Sequence, residues 1–128
     1  MSRKVIHVVE TAYRATLEEQ DDPVIWLCHV MRGTGVLLDL LLQGNAVSYG
    51  VRAQRVTPLT FGERRQGQAP DLAGDLAALL GKGVACFYVE EDAIERGIAA
   101  RELLEGLVPV SRAKRAQLFA HYDQVHHW

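Results

Sequence analysis

Apolar residues along this chain fall into short runs punctuated by glycine, proline and charged clusters, and the runs alternate between strand-like and helix-like spacing. Residues 4–9 (KVIHVV) are a β-branched run of the kind that becomes a strand covered on both faces. Asp22-Pro23 reads as an N-cap followed by proline at the first helical position, where its missing N–H costs nothing. Val24, Leu27, Cys28 and Met31 then recur at helical spacing until Gly33 and Gly35, which offer left-handed residues to end the helix. Residues 36–42 (VLLDLLL), apolar except for Asp39, read as a buried second strand, with a helix as the alternative.

From 52 to 68 the pattern stops. Breakers at Pro58, Gly62 and Gly67 and the cations Arg52, Arg55, Arg64 and Arg65 predict a mobile loop that meets an acidic partner or an anion. Pro70 opens a second helix with a stripe of Leu72, Leu76, Leu79 and Leu80, closed by Gly81 and Gly83. A third strand follows over 84–89. Asp92 with Glu95 has the form of a capping box, and Gly97 ends that short turn. Residues 107–110 read as a fourth strand, Ser111 as the cap of a helix to about Tyr122, and 124–128 as a short terminal strand or tail.

Strands alternating with helices predict an α/β fold: a three-layer α/β/α domain over residues 1–128 with a mostly parallel sheet of four to five strands. Such sheets bind ligands beyond the carboxyl ends of their strands, which directs attention to 10–14, 43–49 and 90–96. Composition narrows the function. At 128 residues, 48% hydrophobic, the chain suits one core, and a net charge of -2 supplies no overall attraction to phosphate backbones, so no direct nucleic-acid partner is expected. The apolar stretch after Met1-Ser2-Arg3-Lys4 is too short for a signal peptide or a span, so a cytoplasmic protein without a membrane partner is expected.

No glycine pattern for nucleotides and no metal-ligand spacing stands in the chain, so neither cofactor nor metal is expected. His121, His126 and His127 crowd one end without the ordered spacing of a metal site, and His7 and His29 read as structural. Asp39 needs a partner, expected as a salt bridge at a strand edge or an interface. Glu90, Glu91 and Asp92 follow the third strand, where carboxylates can do acid–base work, but capping explains their spacing as well.

Phe87-Tyr88-Val89-Glu90-Glu91-Asp92-Ala93-Ile94-Glu95-Arg96-Gly97 is a strand, an acidic turn, then Asp, three residues and Arg-Gly. With Val5-Ile6-His7-Val8-Val9 and the ending Asp123-x-Val125-x-x-Trp128, this resembles the DsrE/DsrF/DsrH-like family of sulfur-relay proteins, most nearly its DsrH/TusB-like subunits. The resemblance implies an oligomer, of identical or related subunits, that exchanges persulfide sulfur with donor and acceptor proteins in sulfur oxidation or tRNA thiolation. It also implies two possible roles: a sulfur carrier or sulfurtransferase subunit, or a non-catalytic structural member. A small-molecule-binding domain unrelated to sulfur is the third reading.

The DsrE-type carrier cysteine would stand eight residues before Gly97, where this chain has Val89, and Cys86 lies three residues earlier inside a strand. The DsrH-type cysteine, seven residues before a glycine, corresponds to Cys28 before Gly35. Cys28 is therefore the candidate persulfide carrier and Arg32, one helical turn on, the candidate stabiliser of its thiolate. The same apolar helical face equally suits Cys28 as packing.

Overall fold

The computed structural model describes residues 3–13, 22–54, 60–65 and 70–128. Five parallel strands make the sheet, in the order β6-β5-β2-β1-β7: β1 is Lys4–Val9, β2 Leu37–Leu42, β5 Cys86–Val89, β6 Val108–Val110 and β7 Gln124–His127. Residues 36–42 are thus a strand and not a helix. The terminal segment joins the sheet as the neighbour of β1. The remaining strands, β3 (Thr60–Phe61) and β4 (Arg64–Arg65), pair antiparallel in a small hairpin inside the arginine-rich stretch, while 55–59 and 66–68 of the loop expected over 52–68 lie outside the described residues.

Helix α1 (Pro23–Gly33) begins where proline predicts. The Asp22 carboxylate caps it by accepting from the N–H groups of Val24 and Ile25 at 2.8 and 3.2 Å, satisfying donors that have no partner inside the helix. Gly35, at φ +90°, then turns the chain into β2. Helix α2 (Leu72–Gly81) starts after Asp71, whose side chain accepts from Gly74 N–H. Among the described residues no helix is long and apolar enough to cross a membrane.

Alternation along the strands sends side chains to two unlike faces. Val5, Val9, Leu38, Leu40, Leu42, Cys86 and Tyr88 face α1 and α2 and join their apolar stripes in a deep core. Ile6, Val8, Leu41 and Val89 face the other way, toward a thin layer supplied by Leu118, Phe119 and Tyr122. The helix expected after Ser111 is a 3₁₀ turn followed by a short α4 (Arg115–Phe119), and the Ser111 side chain makes no capping hydrogen bond. A segment around residues 100–107 closes the β6 side. Leu103 bridges Val51, and Gly50 lets it approach, since a Cβ there would meet Leu107 Cδ1 at 2.5 Å.

Asp39 is on a central strand and not at an edge. Its carboxylate accepts from Tyr122 O–H at 2.6 Å and Ala85 N–H at 2.9 Å and pairs with Lys4 Nζ at 3.3 Å. His7 is buried under Trp128, whose indole N–H donates to His7 Nδ1 at 3.0 Å, while Nε2 has no partner among the described residues. Burial and then the nearby His126 hold the His7 imidazole down at about 4.

Candidate functional site

The carboxyl ends of β1 and β2 open on a cleft of about 910 Å³, a volume ordinary for ligand sites. Glu10 to Tyr13 follow β1, Gly44, Asn45 and Ser48 belong to the 3₁₀ turn after β2, and Arg96 and Ile98 come from the end of the short helix after β5. That helix, α3, is Glu90–Glu95. The windows predicted from strand ends therefore converge here, with Ile98 beyond them.

Side-chain hydrogen bonds stitch the rim. Gln43 Nε2 donates to Glu10 at 2.8 Å while its carbonyl oxygen accepts from Arg115 Nη1 at 2.9 Å, and His127 Nε2 stands 3.6 Å from Glu10. Arg96 Nε donates to Asn45 Oδ1 at 3.0 Å and its Nη1 to the Asp92 carbonyl at 3.1 Å, so the guanidinium is braced at the mouth. Tyr13 sits at φ +60°, a conformation costly for a side chain of its size; its N–H donates to Tyr49 O–H, its ring meets Tyr49 edge-on, and its hydroxyl lies 3.1 Å from Ser48 Oγ. Tyr49 in turn donates to the buried Asp22 at 2.5 Å, linking the cleft to the α1 cap.

The capping-box reading of Asp92 and Glu95 does not hold. Helix α3 starts two residues earlier, after Val89, and the three acids Glu90, Glu91 and Asp92 fill its first turn. The Asp92 carboxylate reaches across to Gly44 N–H at 2.7 Å and to Arg112 at 2.5 Å, which also touches Glu95 at 3.2 Å. Burial pushes the Asp92 carboxyl up, yet the Gly44 N–H and the Arg112 guanidinium outweigh it and hold the acid below its usual range. Glu91 is likewise lowered, chiefly by the Arg112 backbone N–H. Asp92 and Glu91 are thus tied up as structure and held ionised, which argues against general-acid work by either.

Cys28 and Cys86 are both in the deep core at 0% exposure, and neither lines the cleft. Burial pushes the Cys28 thiol up to about 12, and Cys86 and Asp22 push in the same direction. Burial does the same to Cys86, with Asp39 second, to about 12. At neutral pH such thiols are roughly one part in 10⁵ thiolate. Arg32 directs its Nε to the Lys82 carbonyl at 3.2 Å, at the far end of α1. Val89, at the position of the DsrE-type carrier, is fully buried. His29 is structural: its Nε2 is 3.0 Å from the Asp75 carbonyl and Lys82 Nζ is 3.0 Å from its Nδ1. Among the described residues no group of histidines, cysteines and acids is placed to hold a metal ion.

Arg112, Arg115 and Asp22 organise this end of the sheet without having been singled out for it from the sequence, whereas Gln43 and Tyr49 bound the 43–49 window that was. The bonds joining Asp22 to Tyr49, Asp92 to Arg112 and Gln43 to Arg115 span 20 to 72 residues, and no local pattern announces such pairs.

No family model matches the sequence, and a search of curated proteins by sequence gives no match. Solved structures do match. The YchN protein from E. coli aligns over 100% of both chains with a TM-score of 0.72 at 20% identity. MTH1491 from Methanobacterium thermoautotrophicum, a protein of unknown function, aligns over 98% of this chain and 99% of its own with a TM-score of 0.64 at 18% identity. BT1422 from Bacteroides thetaiotaomicron, likewise of unknown function, covers 98% and 95% with a TM-score of 0.67 at 11% identity. The chain shares their fold from end to end.

Proposed function

We propose that this chain is a cytoplasmic subunit of a sulfur-relay assembly of the DsrE/DsrF/DsrH-like kind, contributing structure and a binding cleft while a partner subunit carries the persulfide. The observation that carries this reading is the burial of both thiols behind α1 and α2, away from the cleft. A carrier thiol must be reached by the donor sulfur and must ionise, and a core position at a pKa of about 12 opposes both. The fold supports the relay resemblance read from the Asp-x-x-x-Arg-Gly and Asp-x-Val-x-x-Trp patterns. The braced Arg96 and the Glu10 carboxylate give the cleft the polar anchors that an inserted segment of a relay partner needs.

Co-expression with DsrE-like and DsrF-like subunits followed by native mass spectrometry tests the reading. The expected result is a stoichiometric complex in which, after feeding with a persulfide donor, only the partner chain gains sulfur. A chain that stays alone, or that itself becomes loaded within the complex, contradicts it.

A further inference from the structure

A second cavity, of about 480 Å³, shares no lining residue with the cleft. Its walls are Leu103, Leu104, Leu107 and Pro109, and its mouth carries Arg52 and Arg101. The backbone builds it firmly: Leu104 N–H donates to the Gly50 carbonyl at 2.8 Å and Arg52 N–H to the Glu102 carbonyl at 2.9 Å. Tyr88 belongs to the lining. It is only 5% exposed, yet its hydroxyl makes no hydrogen bond among the described residues. The hydroxyl is therefore open to the cavity's solvent and able to donate to a bound acceptor.

Arg52 donates Nη2 to the Arg101 backbone carbonyl at 2.5 Å, Arg101 belongs to the same lining, and neither guanidinium forms an ion pair among the described residues. Glu105 lines the same mouth and leaves it with one net positive charge. We propose that this cavity binds a small organic carboxylate, its apolar body against Leu103, Leu104 and Leu107 and its carboxylate held by Arg52, Arg101 and the Tyr88 hydroxyl. Arginine pairs match planar carboxylates, and an apolar pocket with a few convergent polar groups is the general form of such sites. Arg52 thereby finds a use for part of the positive charge concentrated after residue 51. The inference is independent of the relay reading, because it uses neither the cysteines nor the cleft.

Hexanoate, hexan-1-ol and acetate are suitable probes, titrated at neutral pH into the isotope-labelled protein while amide shifts are followed. Hexanoate should bind with a Kd on the order of 1 mM and shift residues 101–107, with hexan-1-ol and acetate each at least about tenfold weaker. The Arg52→Ala/Arg101→Ala variant should lose about tenfold in hexanoate affinity, and Tyr88→Phe several-fold, both with native spectra elsewhere. Equal binding of hexanoate and hexan-1-ol, shifts confined to residues 10–13 and 96–98, undiminished affinity in the double-arginine variant, or no binding by 10-fold above that concentration would each overturn the proposal.

Discussion

The two faces of the sheet are built differently. On one, α1 and α2 pack with the sheet in a continuous core of nineteen buried residues among those described, both cysteines included. On the other, four buried residues lie under a five-residue helix and its flanks, and Val108 and Val125 remain 45% and 44% exposed at the two edges. Depth excludes water and raises thiol pKa values, so the thick face is where chemistry by cysteine is suppressed. The thin face leaves apolar side chains exposed at both edges of the sheet.

Adjacent residues on β2 test this contrast directly, since Leu40 points into the thick face and Leu41 into the thin one, both at 0% exposure. Leu40→Ala should cost about 4 kcal/mol in urea unfolding and Leu41→Ala about 2 kcal/mol, because fewer rigid neighbours surround the second cavity and the layer can settle into it. Equal costs would show that the thin layer is as firmly packed as the thick one.

Acid should weaken the thick face next. His7 has its imidazole lowered from 6.5 to about 4, so the unfolded chain binds a proton that the folded one refuses between those values. This contribution is complete above pH 6.5 and is lost progressively as pH falls toward 4, a change on the order of 3 kcal/mol. Urea unfolding at pH 7.0 and 4.5 should therefore differ more for the native chain than for His7→Gln. An identical pH slope in the two proteins would mean that the imidazole titrates normally. Smaller still is Cys28→Ser, expected to destabilise by roughly 1–3 kcal/mol by burying a hydroxyl in an apolar site. Least is Tyr122→Phe on the thin face, about 1 kcal/mol, since Asp39 keeps Lys4 and the Ala85 N–H as partners. A larger loss from Tyr122→Phe than from Cys28→Ser, measured by thermal unfolding, would invert the ranking of the faces.

The thick face was largely legible in the sequence. The β-branched and leucine runs bounded by glycines marked the central strands, and Asp22-Pro23 marked the start of α1 to the residue. On α1 the spacing named Leu27 and Met31 as core along with Val24 and Cys28; the structure buries Val24, Ile25 and Cys28 and leaves Leu27 and Met31 half-buried. The thin face was harder to read. Strand β7 docks beside β1 through pairs such as Asp123 N–H to the Lys4 carbonyl at 2.8 Å, more than a hundred residues apart, and no local spacing encodes such a partner. Asp92 misled because Asp-x-x-Glu satisfies a local capping rule, while its distant partners Gly44 and Arg112 decide what the carboxylate does. The cleft was located by the strand-end rule alone, its bracing by nothing in the pattern.

Sulfur loading of the isolated, folded chain tests most directly whether both thiols are sealed. The purified protein is incubated with a persulfide donor at neutral pH and weighed intact, beside a sample unfolded in urea. The structure predicts no gain in mass when folded and addition at Cys28 and Cys86 when unfolded, with alkylation following the same pattern. Loading of the folded protein that disappears in Cys28→Ser would contradict the account and make Cys28 the carrier.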